Sequence, residues 1–135
     1  MFDDIKSFHQ KYGIDYDGPP RKLPAELLRL RRNRLWEEII EYIDADSLED
    51  QFDALIDLVY IALGTAYLHG FPFDEGWRRV HEANMKKVRA ERPEQSRHGS
   101  TFDIVKPKNW TPPDLSDLVK ANSATTYIQP SFLPG

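Results

Sequence analysis

Cysteine is absent from all 135 residues, which excludes disulfides and thiolate-bound metals and leaves the compartment open. An excess of positive charge is missing too. The 18 Lys and Arg against 22 Asp and Glu give a net charge of −4, so no nucleic-acid partner is expected, although local basic clusters remain able to grip a small phosphate ligand. Long apolar runs are lacking. The longest, Leu55 to Leu68, is broken by Asp57, Gly64 and Thr65, so no membrane span or membrane partner is expected. The first residues, Met-Phe-Asp-Asp-Ile-Lys, are too acidic and too poor in apolar side chains for a signal peptide, and the expected location is the cytoplasm. There is no Walker-type glycine loop and no Ser/His/Asp set. What is present is an ordinary globular composition, 40% hydrophobic and 30% charged, long enough to enclose a core.

Hydrophobic periodicity predicts an all-α fold of four helices with a draped C-terminal arm. Phe2, Ile5, Phe8, His9 and Tyr12 recur at helical spacing and end at Gly13, a suitable C-cap. Gly18, Pro19, Pro20 and Pro24 mark a loop. A second helix is expected from Pro24 or Ala25 to Ile43, with Leu28, Leu35, Ile39 and Tyr42 as its apolar stripe. After a short connection capped by Asp46 or Ser47, a third helix runs to His69 and stops at Gly70. A fourth is expected over 74–90, with Trp77, Val80, Asn84 and Val88 on its inner stripe. Six of the ten prolines lie from Pro93 onward, so 93–135 reads as an extended arm with at most a turn or two of helix at 114–121. Residues 1–92 then form the helical domain, and the arm packs on it or on a neighbouring subunit.

Two acidic pairs interrupt this pattern. Glu38 and Glu41 are three apart on the second helix, just after Glu37; Asp53 and Asp57 are four apart on the third. Spacings of three and four place side chains on one helical face. The short connection makes the two helices antiparallel, so the acidic stripes can face each other. Carboxylates gathered there need a compensating cation or water, because an ionised group in a dry interior is costly. Oxygen-only donors favour Mg2+ or Mn2+ over zinc, and Mg2+ keeps waters or phosphate oxygens in its shell. The plain alternative is a set of solvated charges on amphipathic helices, or a helical dimerisation module whose stripes form interchain ion pairs. A redox di-metal bundle is disfavoured, since the usual Glu-x-x-His pairs are missing.

Other polar groups carry weaker signals. Asn84 lies on an apolar stripe with Lys87 one turn later, a pairing suited to phosphates or to a solvated helix end. Arg31 and Arg34 share the glutamate face and are expected to pair with the glutamates. His9, His69, His81 and His98 show no ligand spacing. Trp36 and Trp77 are expected to be packing anchors, whereas Trp110 in the arm is placed to stack on a base.

Glu37-Glu38-Ile39-Ile40-Glu41 resembles the E-E-x-x-E motif of the all-α nucleoside triphosphate pyrophosphohydrolases, the superfamily of MazG-like enzymes, phosphoribosyl-ATP pyrophosphohydrolases and dimeric dUTPases. Their second motif is E-x-x-D, and Asp57 matches its aspartate. Ala54 stands where the motif has its first acid, with Asp53 one residue upstream. Phe8 to Gly13, Ala83 to Arg89 and Ser96 to Trp110 look like a branch common among phage proteins, and within it like the MazZ-type enzymes of phages that replace adenine with 2-aminoadenine. The resemblance covers about residues 2–115. It implies Mg2+-dependent hydrolysis of a (d)NTP to (d)NMP and pyrophosphate, with Mn2+ able to substitute and two or more ions per site. Glu38, Glu41 and Asp57 would hold metal, joined by Asp53 or Glu37, and a glutamate that does not ligate, Glu37 first, would orient the attacking water. Asn84, Lys87, Arg97, Lys106 and Trp110 would contact the substrate. It further implies dGTP as the preferred nucleotide, a dimer or a dimer of dimers, and the host cytoplasm as the location.

Overall fold

The computed structural model describes residues 1–120, so the part of the expected arm over 121–135 lies outside the described residues. Among the described residues there are four α-helices: α1 (Phe2–Lys11), α2 (Ala25–Asp44), α3 (Leu48–His69) and α4 (Phe73–Asn84). The all-α architecture matches the periodicity, and the ends follow the local chemistry. The Ser47 hydroxyl accepts the Asp50 N–H at 3.0 Å and so caps α3. Gly70 ends the same helix at φ 75°, a conformation that exposes its N–H to the carbonyls of Ala66 and Tyr67.

The chain divides into two compact units, Met1–Phe73 and Asp74–Leu118, with Val119 and Lys120 grouping with the first. In the first unit, α3 packs against both α1 and α2. The α2–α3 pair is antiparallel: Arg31 reaches Ile61 and Thr65, while Glu38, two turns further along α2, lies with Asp57 at an earlier point of α3. Ile5, Leu23, Leu27, Leu63, Tyr67 and Leu68 form the core, with Phe2, Leu28, Tyr60 and Phe73 against it. Full burial of each such Leu or Ile contributes about 1.5–3 kcal/mol.

This core occupies only one end of the α2–α3 pair. Towards the connection between them, the expected apolar stripe of α2 is open, with Ile39 and Tyr42 exposed. Trp36, Ile43, Leu48, Phe52, Leu55, Ile56 and Val59 are exposed as well. These faces stay open because α1 packs on α3 mainly at the core end. By length and composition alone α3 could cross a membrane.

The second unit departs from the expected helix over 74–90. Here α4 stops at Asn84, and a tightened turn follows in which Lys86 and Lys87 donate to the carbonyls of Ala83 and Asn84. Val88–Arg89 (β1) then pairs antiparallel with Ile104–Val105 (β2), and the Ala90 N–H donates to the Asp103 carbonyl. The β-branched Val88, Ile104 and Val105 suit a ladder better than a further helical turn. Between the strands, the buried Ser96 hydroxyl donates to Asp103 at 2.6 Å and accepts the His98 N–H. A single turn of 3-10 helix occurs at Ser116–Leu118, where Asp117 pairs with Arg79 of α4.

Candidate metal and substrate site

Glu38, Glu41 and Asp57 each offer a carboxylate oxygen within 4.8 Å of the others. Their burial is graded, from Glu38 at only 6% exposure through Asp57 to the exposed Glu41. Burial pushes the Glu38 carboxyl above its ordinary range, and hydrogen bonding with Glu41 plus the charges of Glu41 and Asp57 push the same way; Arg34 opposes them. Asp57 is raised for related reasons, burial first, then Asp53 and Glu41. The decisive atom is Glu38 Oε2, which is buried and has no hydrogen-bond partner among the described residues. An unpaired buried carboxylate oxygen is strongly unfavourable, and a hard cation shared with Glu41 and Asp57 satisfies it. The donor set therefore fits a divalent metal.

Asp53 is exposed and lies outside this converging set. It lines a neighbouring groove of about 320 Å³ together with Glu41, Asp44 and Asp50. Ala54, where the motif has its first acid, is 3% exposed and stands at the floor of the same groove. Glu37 is exposed and 3.9 Å from Arg34, beside the cluster rather than in it.

Glu38 and Asp57 also line one end of a cavity of about 250 Å³ whose other walls are Phe8, His9, Arg31, Arg34, Tyr60 and Ile61. The expected pairing of the arginines with the glutamates holds only for Arg34, and loosely, at 3.9 Å from Glu37 and 4.0 Å from Glu38. Arg31 instead donates to the Thr65 hydroxyl at 3.0 Å and to the Ile61 carbonyl at 2.9 Å. Sequence reasoning also passed over His9 as a wall of the site, because a lone histidine without ligand spacing gives no signal. It is 4% exposed, stacks on Tyr67, and contacts the Ile14 carbonyl through Nδ1 at 2.8 Å. A carbonyl only accepts, so Nδ1 carries the proton and Nε2 keeps its lone pair.

In the second unit, Lys87, Arg97 and Lys106 line a basin of about 480 Å³ with Gln95, His98 and Asp103. The ammonium groups of Lys87 and Lys106 each stand 5.0 Å from the centroid of Trp110, whose indole N–H donates to the Ala83 carbonyl at 2.7 Å. Asn84 is exposed at the end of α4. Trp36 and Trp77, expected as packing anchors, are each 64% exposed.

Comparison with known proteins decides the family. The model described as phosphoribosyl-ATP pyrophosphohydrolase matches residues 5–84. The chain belongs to the phosphoribosyl-ATP pyrophosphohydrolase family. That match spans α1 to the end of α4 and includes all three converging carboxylates, so the cluster lies within the part of the chain that defines the phosphoribosyl-ATP pyrophosphohydrolase family. Comparison with curated proteins returned no match.

Proposed function

We propose that this protein is a Mg2+-dependent nucleoside triphosphate pyrophosphohydrolase that converts a (d)NTP to (d)NMP and pyrophosphate. The observation that carries the reading is the unpartnered, buried Glu38 Oε2 within a three-carboxylate cluster at one end of a cavity. Glu38, Glu41 and Asp57 would hold the first cation, and Asp53, sharing a groove with Glu41, would complete a second site. Bound Mg2+, or Mn2+ in its place, would neutralise the phosphates and make the α-phosphorus more electrophilic. Water adds to that phosphorus, the α–β anhydride bond breaks, and pyrophosphate takes the bonding electrons. Glu37, next to the cluster and solvent-accessible, is the residue assigned to orient the water and accept its proton. Asn84 and Lys87 would steady the phosphates, and the segment from Arg97 through Lys106 to Trp110 would close over the sugar or base, a reading supported by the basin that Lys87, Arg97 and Lys106 line and by the two ammonium groups beside the indole.

For the substrate, the likeness to MazZ-type phage enzymes favours dGTP, yielding dGMP in the cytoplasm of an infected host. The family match favours phosphoribosyl-ATP as the second reading. A panel of dGTP, dATP, dCTP, dUTP, GTP and phosphoribosyl-ATP with Mg2+ separates them. Pyrophosphate and a monophosphate are expected, fastest from dGTP. Orthophosphate as the direct product contradicts the proposal.

A second copy of the chain is proposed as partner, forming a dimer or a dimer of dimers. Phe52, Leu55, Ile56 and Val59 of α3 are exposed and, with Met1, Asp4 and Ile5 of α1, line an open apolar groove of about 440 Å³, a clustering of apolar side chains that favours a partner surface. Such an interface accounts for the apolarity of α3 without a bilayer. The double variant Ile56→Glu, Val59→Glu is expected to run as a monomer in light scattering where the parent runs as a dimer or tetramer; a monomeric parent contradicts the assignment.

A further inference from the structure

The cavity beside the carboxylate cluster has an acidic end and a cationic wall, and the wall is built rather than incidental. Arg31 is half-buried, its Nε and Nη2 fixed across the helix pair by Thr65 Oγ1 and the Ile61 carbonyl. Both of those partners are neutral. The guanidinium thus carries its charge into a partly desolvated position with no carboxylate on it among the described residues, and burial together with neighbouring Arg34 disfavours that charge. Gly64 is what admits the group. A Cβ there would stand 2.6 Å from Arg31 Nη2 and 2.8 Å from His9 Nε2. His9 supplies no second charge, since burial and Arg31 lower its pKa against the opposing Ile14 contact. The cavity's fixed positive charge comes from arginine.

We infer that the Arg31 guanidinium is the anion-recognition group of this cavity and takes oxygens of the substrate's polyphosphate, whose other oxygens face the Glu38–Glu41–Asp57 cluster. A half-buried cationic group with neutral anchors and an open cavity in front of it is complementary to an anion that arrives with the substrate. Arg34 joins as a consequence of metal loading. It lies 4.0 Å from Glu38, and a cation on that carboxylate removes the attraction holding it there. Cation and polyphosphate binding are therefore mutually reinforcing. This rests on the pyrophosphohydrolase reading of the cluster and adds to it the group that recognises the leaving polyphosphate.

Calorimetric titration with inorganic pyrophosphate at saturating Mg2+, alongside titration with Mg2+ alone, tests the inference on the full chain. The parent is expected to bind pyrophosphate, and Arg31→Met to weaken it tenfold or more with Mg2+ affinity unchanged. Arg31→Met also removes two helix–helix hydrogen bonds, so Arg31→Lys and Thr65→Val carry the same test with less effect on folding. Each is expected to weaken pyrophosphate severalfold. Unchanged affinity in these variants, or no pyrophosphate binding by the parent, overturns the inference. Full hydrolytic activity in Arg31→Met overturns it while leaving the enzymatic reading intact. Arg31-dependent pyrophosphate binding by a chain that releases none from any nucleotide has the opposite consequence.

Discussion

Glu38→Gln is expected to abolish pyrophosphate release and to raise the melting temperature of the metal-free protein. The two effects share one cause. Glutamine keeps the volume and one acceptor oxygen of the side chain but carries no charge, so it removes the burial penalty and the repulsion from Glu41 and Asp57. It also removes the buried oxygen best placed for a cation. Loss of a group that merely orients a metal ligand costs about 10–100-fold, and loss of the ligand itself is expected to exceed that. The pH dependence follows with a definite sign. The folded pKa values of Glu38 and Asp57 are raised, so protonation stabilises the metal-free fold. That contribution is full below the unfolded-state carboxylate pKa and disappears as pH rises through the folded values. Thermal melts should show metal-free protein losing stability over this window, Mg2+ restoring it, and Glu38→Gln losing less. A variant that melts lower than its parent in the absence of metal contradicts the strain assigned to Glu38.

Gly64→Ala is expected to destabilise the protein even though alanine is the better helix former. In an exposed helix the exchange would gain about 1 kcal/mol. Here the new methyl would meet Arg31 Nη2 at 2.6 Å and His9 Nε2 at 2.8 Å. Arg31 cannot swing aside without giving up Thr65 and Ile61, and His9 is held by Ile14 and Tyr67. Overpacking costs about 1–3 kcal/mol, and lost hydrogen bonds of a charged group about 1.5–3 kcal/mol. The steric side wins by roughly 2 kcal/mol or more, read as a lower urea midpoint with an unchanged slope. Because the displaced group is Arg31, affinity for pyrophosphate should fall in the same variant. A midpoint at or above that of the parent would show that the wall yields freely.

The helices were legible because their signals are local. Ser47, Gly70 and the helical recurrence of Phe2, Ile5, Phe8 and Tyr12 act within one or two turns. The convergence of Glu38, Glu41 and Asp57 was legible for a related reason, since a three-residue connection leaves α2 and α3 few ways to pack. What the residues did not disclose depends on partners far along the chain. Arg31 looked like a companion of the glutamates because they share a face, but Thr65 and Ile61, thirty or more positions away, hold it. The end of α4 at Asn84 depends on Val88 finding Val105. The open faces of Ile39, Tyr42 and Phe52 reflect how little of the α2–α3 pair α1 covers, a matter of placement rather than pattern. Asp53 and Asp57 look equivalent in a helical repeat, yet only Asp57 joins the converging oxygens.

The most direct measurement is a Mn2+ titration of the full chain at neutral pH, followed by the loss of the free-ion electron paramagnetic resonance signal, in the parent and in Glu38→Gln. Saturable binding in the parent that is lost or severely weakened in Glu38→Gln is the predicted result. Equal binding by both proteins, or none by the parent, contradicts the assignment of the Glu38–Glu41–Asp57 cluster as a metal site.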